Sequence, residues 1–168
     1  MRLIVKEKVI SLHNRYFIYN ENQEQEYEIE SKIISLGDKT TIYDKNHNIV
    51  AYIAQNQFHF IPKYDVYINN QLQFSIQRKL KLFEIKYILS NNYKVEGDLF
   101  ALSVVIKNSN DEKIAFINRD LISIGDKYCI EILNENELPI ILSIIAVLLN
   151  FVFIVCSSLA FEYQVLKK

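Results

Sequence analysis

The sequence predicts a mostly β protein, a closed antiparallel barrel of about 12 strands wrapped around a hydrophobic C-terminal α-helix. Three observations carry that expectation. Residues 1–137 alternate apolar and polar side chains in short runs divided by Asn-rich turns, the pattern of hairpins. From Leu138 to Phe161 the chain then runs 24 positions without a charge. Finally, about eight strands already fill a barrel with their own side chains, so a dozen leave a hole that something apolar must occupy.

Taken in order, Phe17-Ile18-Tyr19 leads into Asn20-Glu21-Asn22-Gln23, and Tyr27 and Ile29 resume the alternation. Ile42-Tyr43 precedes Asp44-Lys45-Asn46-His47-Asn48, which Ile49-Val50-Ala51-Tyr52-Ile53 follows. Tyr67-Ile68 precedes Asn69-Asn70-Gln71, with Leu72, Phe74 and Ile76 beyond it. Val104-Val105-Ile106 precedes Lys107-Asn108-Ser109-Asn110-Asp111, with Ile114 and Phe116 beyond. Turns recur near residues 21, 46, 69, 91, 110 and 134, 19 to 25 residues apart. With only 3 Gly and 2 Pro in the chain, Asn has to supply the tight turns. Secondary turns fall at Leu36-Gly37-Asp38-Lys39, Ile61-Pro62-Lys63, Glu96-Gly97-Asp98 and Ile124-Gly125-Asp126-Lys127. They hold every glycine, the residue for which positive φ is cheap. The piece Ile34-Ser35-Leu36-Gly37-Asp38-Lys39 nearly repeats as Ile122-Ser123-Ile124-Gly125-Asp126-Lys127.

Twist and unpaired edges favour closure of so many antiparallel strands. The uncharged run is apolar on every side and, as a helix, about 36 Å long at roughly 1.5 Å per residue. Lipid or protein must surround it. Asn136 is placed to cap it, Pro139 fits its first turn, and Glu135 and Glu137 suit its positive end. Ser143, Asn150 and Ser157, spaced by seven, give it one polar stripe. Inside a barrel that stripe lies nearest the wall, with Asn150 bonded to a strand; in a membrane it is a helix-packing face. The strands favour the first surrounding. The alternative is a membrane-anchored β domain with a C-terminal transmembrane helix. A single domain over 1–168 is expected, with strands in 1–137 and the central helix over 138–161.

Balanced charge, 19 Lys+Arg against 20 Asp+Glu, argues against nucleic acid as a partner, which needs a basic face to displace counterions. Cys129 and Cys156 read as buried free thiols of a reducing compartment. The first residues lack the apolar core of a signal peptide, so the chain is expected in the cytoplasm. His13, His47 and His59 are isolated, and the turns at Asp44 and Asp111 lack the ligand density of a calcium loop. No nucleotide fingerprint or nucleophile elbow occurs. The sequence therefore gives no ground for an enzyme, a metal site or a cofactor.

Six segments, in this order and spacing, carry a resemblance. They are Thr41-Ile42-Tyr43-Asp44-Lys45-Asn46-His47-Asn48-Ile49-Val50, Phe60-Ile61-Pro62-Lys63-Tyr64-Asp65-Val66-Tyr67-Ile68, Val95-Glu96-Gly97-Asp98, Ile114-Ala115-Phe116-Ile117, Ser123-Ile124-Gly125-Asp126-Lys127-Tyr128 and the final apolar run. Together they resemble the LURP-one-related family of the tubby C-terminal-like superfamily, which also contains the phospholipid scramblases. The resemblance covers residues 1–155 and implies a twelve-stranded barrel closed around a C-terminal hydrophobic helix. Where the family pattern has Asp late in that helix, this chain has Asn150, so a role tied to a carboxylate does not transfer.

Arg78, Lys79, Lys81 and Lys86 are the candidate ligand-binding residues. Alternation puts Phe74, Ile76, Leu80 and Leu82 on one face and Ser75, Gln77, Lys79 and Lys81 on the other. Past a bulge near Leu82-Phe83 the apolar set becomes Phe83, Ile85, Tyr87 and Leu89. Lys79 and Lys81 then stand together facing out. Tubby relatives hold phosphoinositides, and the resemblance implies a non-catalytic binding module docking on anionic membrane lipid headgroups at such a face, peripheral to the membrane. An ordinary solvated strand face that discourages edge pairing has the same pattern.

Overall fold

The computed structural model describes residues 1–10, 13–32, 37–56, 61–79, 84–98, 103–120 and 127–150. Twelve strands succeed one another: β1 (Arg2–Ile10), β2 (His13–Tyr19), β3 (Gln25–Lys32), β4 (Lys39–Asp44), β5 (Ile49–Asn56), β6 (Lys63–Ile68), β7 (Gln71–Arg78), β8 (Glu84–Leu89), β9 (Lys94–Asp98), β10 (Ser103–Lys107), β11 (Lys113–Asp120) and β12 (Lys127–Ile132). Each pairs antiparallel with its sequence neighbours, and β1 pairs with β12, Ile4 opposite Cys129, closing the barrel. A 3-10 turn at Glu135–Glu137 leads into α1, helical from residue 138 through residue 150. Because every strand reverses the one before, all links from even- to odd-numbered strands share one rim with the start of α1.

Three of those rim turns have one construction. In Asn20–Glu24, Asp44–Asn48 and Asn108–Glu112 the first amide donates to the fifth carbonyl and the fourth amide to the first carbonyl, all at 2.9–3.0 Å. The leading side chain's Oδ1 accepts the fifth amide at 3.0, 2.8 and 3.0 Å respectively. The fourth residue, Gln23, His47 or Asp111, takes a φ of 61–66°. An Asx side chain thus ties the loop and supports a left-handed residue that is not glycine. The β6–β7 link is a two-residue turn with Asn69 at φ 53° and Asn70 at φ 60°, as a type I′ hairpin demands. These are the Asn turns the composition calls for.

Two local expectations change. Glu96-Gly97-Asp98 is not a turn but the end of β9, with Gly97 opposite Ile85 and Val104. A Cβ on Gly97 would collide with the Ser103 carbonyl oxygen and lie 3.0 Å from Val104 Cα. Glycine is needed there for close backbone approach, whereas Gly37, at φ 105°, does serve a left-handed position. The cap before α1 is Asn134, whose Oδ1 accepts the Asn136 amide at 3.2 Å; Asn136 itself lies inside the 3-10 turn.

Alternation sends one face of each strand inward, and those residues share a single core with α1. All ten residues from 141 to 150 are buried, Ile141, Leu142 and Ala146 completely. A helix covered on every side sits inside its wall, and each large aliphatic so buried contributes roughly 1.5–3 kcal/mol over its exposed state. Among the described residues no helix is long and apolar enough to cross a membrane. Residues 141–150 of the uncharged run are barrel core, which removes the argument for a C-terminal membrane anchor built on them.

The helix also meets the wall through one polar ring. Ser31 Oγ donates to Asn150 Oδ1 at 2.9 Å, and Asn150 Nδ2 donates to Thr40 Oγ1 at 3.0 Å. The two hydroxyl oxygens are 2.9 Å apart. Since the Ser31 proton goes to Asn150, Thr40 donates to Ser31, and three buried bonds close on themselves. An amide offers both the donor and the acceptor this ring needs; a carboxylate lacks the donor. Ser143 Oγ instead donates within the helix, to the Pro139 carbonyl at 2.7 Å. Ser157 lies outside the described residues.

Candidate functional site

With the interior occupied by α1, a ligand meets this barrel on its outer wall. The most ordered charge pattern there crosses β9, β10 and β11. Lys94 stands opposite Lys107, and Lys107 opposite Lys113. Like charges directly opposite on adjacent strands repel, so the row needs counterions, and it has two. Glu96 lies between Lys86 and Lys107, at 3.2 and 3.5 Å; Asp111 lies between Lys94 and Lys107, at 2.8 and 4.0 Å. The hydrogen bond from Lys86, then the charge of Lys107, holds the Glu96 carboxyl below its usual range. The bond from Lys94 does the same for Asp111, and Asp111 in turn raises the Lys94 ammonium. Lys113 sits over the Phe116 ring, 5.6 Å from its centroid. Around this row, among the side chains described, five lysines counting Lys79 accompany three carboxylates, Glu96, Asp111 and Glu112; Glu84, Asp98 and Asp120 stand at the far ends of β8, β9 and β11.

The opposite wall inverts this. Six strands away around the ring, β3 turns Glu26, Glu28 and Glu30 outward. Arg15 of β2 lies between Glu28 and Glu30, at 3.6 and 3.3 Å, and Lys45 reaches Glu26 at 3.2 Å.

Of the residues singled out in the sequence, Lys79 is exposed and its amide donates to the Lys86 carbonyl at 2.8 Å. Lys86 is half-exposed and paired with Glu96. Arg78 stands opposite Tyr87 in the ladder, its side chain outside the described set, and Lys81 lies outside the described residues. Lys79, Lys86 and Lys94 line one hollow of about 420 Å³ with Ile88 and Tyr93. Sequence reading missed Lys94, Lys107 and Lys113. Their signal lies in the turns: a hairpin closed by Asn108–Glu112 pairs Lys107 with Lys113, and a further ladder adds Lys94.

Elsewhere the outer wall offers less. A groove of about 1100 Å³ over β11, β12, β1 and β2 includes Arg2, Lys6, Glu21 and Glu131, two charged side chains of each sign. In it Arg2 Nε donates to Cys129 Sγ at 2.9 Å. Cys129 is a free thiol, half-exposed and not buried as its strand position suggested. Burial raises the Asp38 carboxyl, and burial followed by Asp38 pushes Tyr64 up to about 12. Desolvation is the larger cause in both shifts. Among the described residues no cluster of His, Cys, Asp and Glu could hold a metal ion.

Comparison with known proteins agrees with this architecture. The family model described as LURP-one-related matches residues 1–149. The uncharacterized protein YxjI of Bacillus subtilis (strain 168) is 23% identical over 153 residues, covering 90% of this chain and 93% of its own. An X-ray structure of a protein from Arabidopsis thaliana superposes with a TM-score of 0.64 at 14% identity, over 89% of this chain and 91% of that one. That likeness shows the shared fold. The family and the closed barrel fit a non-catalytic binding module.

Proposed function

We propose, from the premise that the chain belongs to the LURP-one-related family, that it docks on anionic lipid headgroups through the outer face of β8–β11. The cross-strand row Lys94–Lys107–Lys113 carries this reading. For the isolated fold such a row is tolerable only with the counterions Glu96 and Asp111. Against a surface of phosphates it is favourable, at about 1 kcal/mol per basic residue close to an anionic bilayer. Lys79 and Lys86 flank the row, and the acidic β3 wall faces away, so one side of the barrel meets the membrane. The protein is then a peripheral one, at an anionic leaflet.

Co-sedimentation of the full chain with phosphatidylcholine vesicles, with and without phosphatidylglycerol, tests this. Binding is expected only to the mixed vesicles, and to fall steeply with salt. Replacing Lys94, Lys107 and Lys113 by Ala should weaken it more than Lys79→Ala with Lys81→Ala. Absence of binding at low salt, or binding indifferent to the three lysines, overturns the reading.

A further inference from the structure

The large hydrophobics left exposed among the described residues are Met1, Ile49, Leu72, Ile88 and Leu133. All five lie at one rim, the one that carries the even-to-odd turns and the start of α1. Three belong to successive hairpins. Ile49 follows the β4–β5 turn, Leu72 follows the Asn69-Asn70 turn, and Ile88 comes just before the β8–β9 turn, at 62%, 57% and 47% exposure. Nothing in a barrel whose core is already closed by α1 requires an aliphatic side chain at such tips.

Their setting identifies an occupant. Ile88 stands directly opposite Lys94, so the row of lysines ends in an exposed isoleucine. Leu72 stands opposite Tyr67, whose ring packs on Tyr52 with centroids 6.0 Å apart. The sector from β6 to β11 therefore runs from aliphatic tips backed by tyrosines to a strip of ammonium groups. A shape-matched protein partner calls for a continuous apolar patch. Separate aliphatic tips, interfacial tyrosines and adjacent lysines match the layered boundary of a bilayer, with acyl chains beneath anionic headgroups.

We propose that Leu72 and Ile88, the two tips nearest the lysines, insert into the headgroup–acyl boundary of an anionic membrane while the Lys94–Lys107–Lys113 row holds the headgroups above them. This rests on the docking reading and adds to it the orientation and an insertion step. The lysines supply the salt-sensitive part of binding, and the tips supply a part that salt does not screen.

The chain contains no Trp, so a single introduced indole reports its own surroundings. Leu72→Trp and, on the outer face of β2, Phe17→Trp are titrated with phosphatidylcholine–phosphatidylglycerol vesicles, alongside the double variant Leu72→Ser, Ile88→Ser. Circular dichroism confirms the fold of each. Leu72→Trp should shift its emission to the blue and be quenched by lipids brominated near the headgroup, with Phe17→Trp unchanged. The double variant should bind about tenfold more weakly or worse. If the chain pellets with anionic vesicles while the Leu72→Trp emission stays unchanged, or the double variant binds like the parent, insertion is wrong and headgroup docking stands. If the parent chain ignores anionic vesicles at low salt, both readings fall.

Discussion

The outer walls of β3 and β9, on opposite sides of the barrel, use the same charges in inverted order. On β3 a cation, Arg15, lies between two carboxylates, Glu28 and Glu30. On β9 a carboxylate, Glu96, lies between two cations, Lys86 and Lys107, and Asp111 repeats the arrangement between Lys94 and Lys107. In the first cluster glutamates outnumber the arginine, and in the second lysines outnumber the two carboxylates they share. A chain with a formal net charge of -1 thus carries local clusters of opposite sign, and closing the sheet is what sets them apart. Net charge speaks to a protein's whole field, not to its faces.

The sharpest way to break the comparison is to make β9 resemble β3. Lys94→Glu with Lys107→Glu changes the basic wall by four charges, and affinity for anionic vesicles should fall by roughly a hundredfold or more. Glu28→Lys with Glu30→Lys on the other wall should leave β9-directed binding in place, both checked by co-sedimentation. Gly97→Ala acts on the scaffold under the basic wall. Its Cβ meets the backbone of β10, so the strands must part, at a cost of about 1–3 kcal/mol in urea unfolding. An unchanged midpoint would mean that the close β9–β10 approach is not needed.

Smaller changes sharpen the comparison. Glu96→Gln removes the carboxylate that competes with a headgroup for Lys86 and Lys107, and should tighten vesicle binding about fivefold. Weaker binding would show that Glu96 positions the lysines rather than masking them. The smallest effect is on acid stability. Lys86 holds Glu96 below the ordinary carboxylate range and Lys94 holds Asp111 there. A lowered folded pKa means stability that is present above the ordinary range and is lost as pH falls through the lowered value. Both groups are near the surface, so the effect is screened and modest. Glu96→Gln with Asp111→Asn should flatten the fall of the urea midpoint at acid pH, and an unaltered slope would contradict the pairing.

The inner wall was legible in the sequence and the outer wall was not. Alternation, Asn turns and the uncharged run are local signals, and they lead to twelve strands and a central helix because burial leaves few other ways to satisfy them. Gly97 shows where local signals mislead: a glycine inside Glu96-Gly97-Asp98 reads as a turn, yet it answers to a neighbouring strand. Lys94, Lys107 and Lys113 show the larger difficulty. They are scattered in sequence, each beside a turn, and become one row only through the registers of β9, β10 and β11. The basic residues near position 80 stand out because they are close in the chain, which is not the adjacency that a surface presents.

Acetylation of individual lysines, read by mass spectrometry with and without phosphatidylglycerol-containing vesicles, tests the docking face most directly. The account predicts that vesicles protect Lys94, Lys107 and Lys113, while Lys32 and Lys45 on the opposite side react as before. Equal reactivity at all five, or protection confined to Lys32 and Lys45, would contradict it.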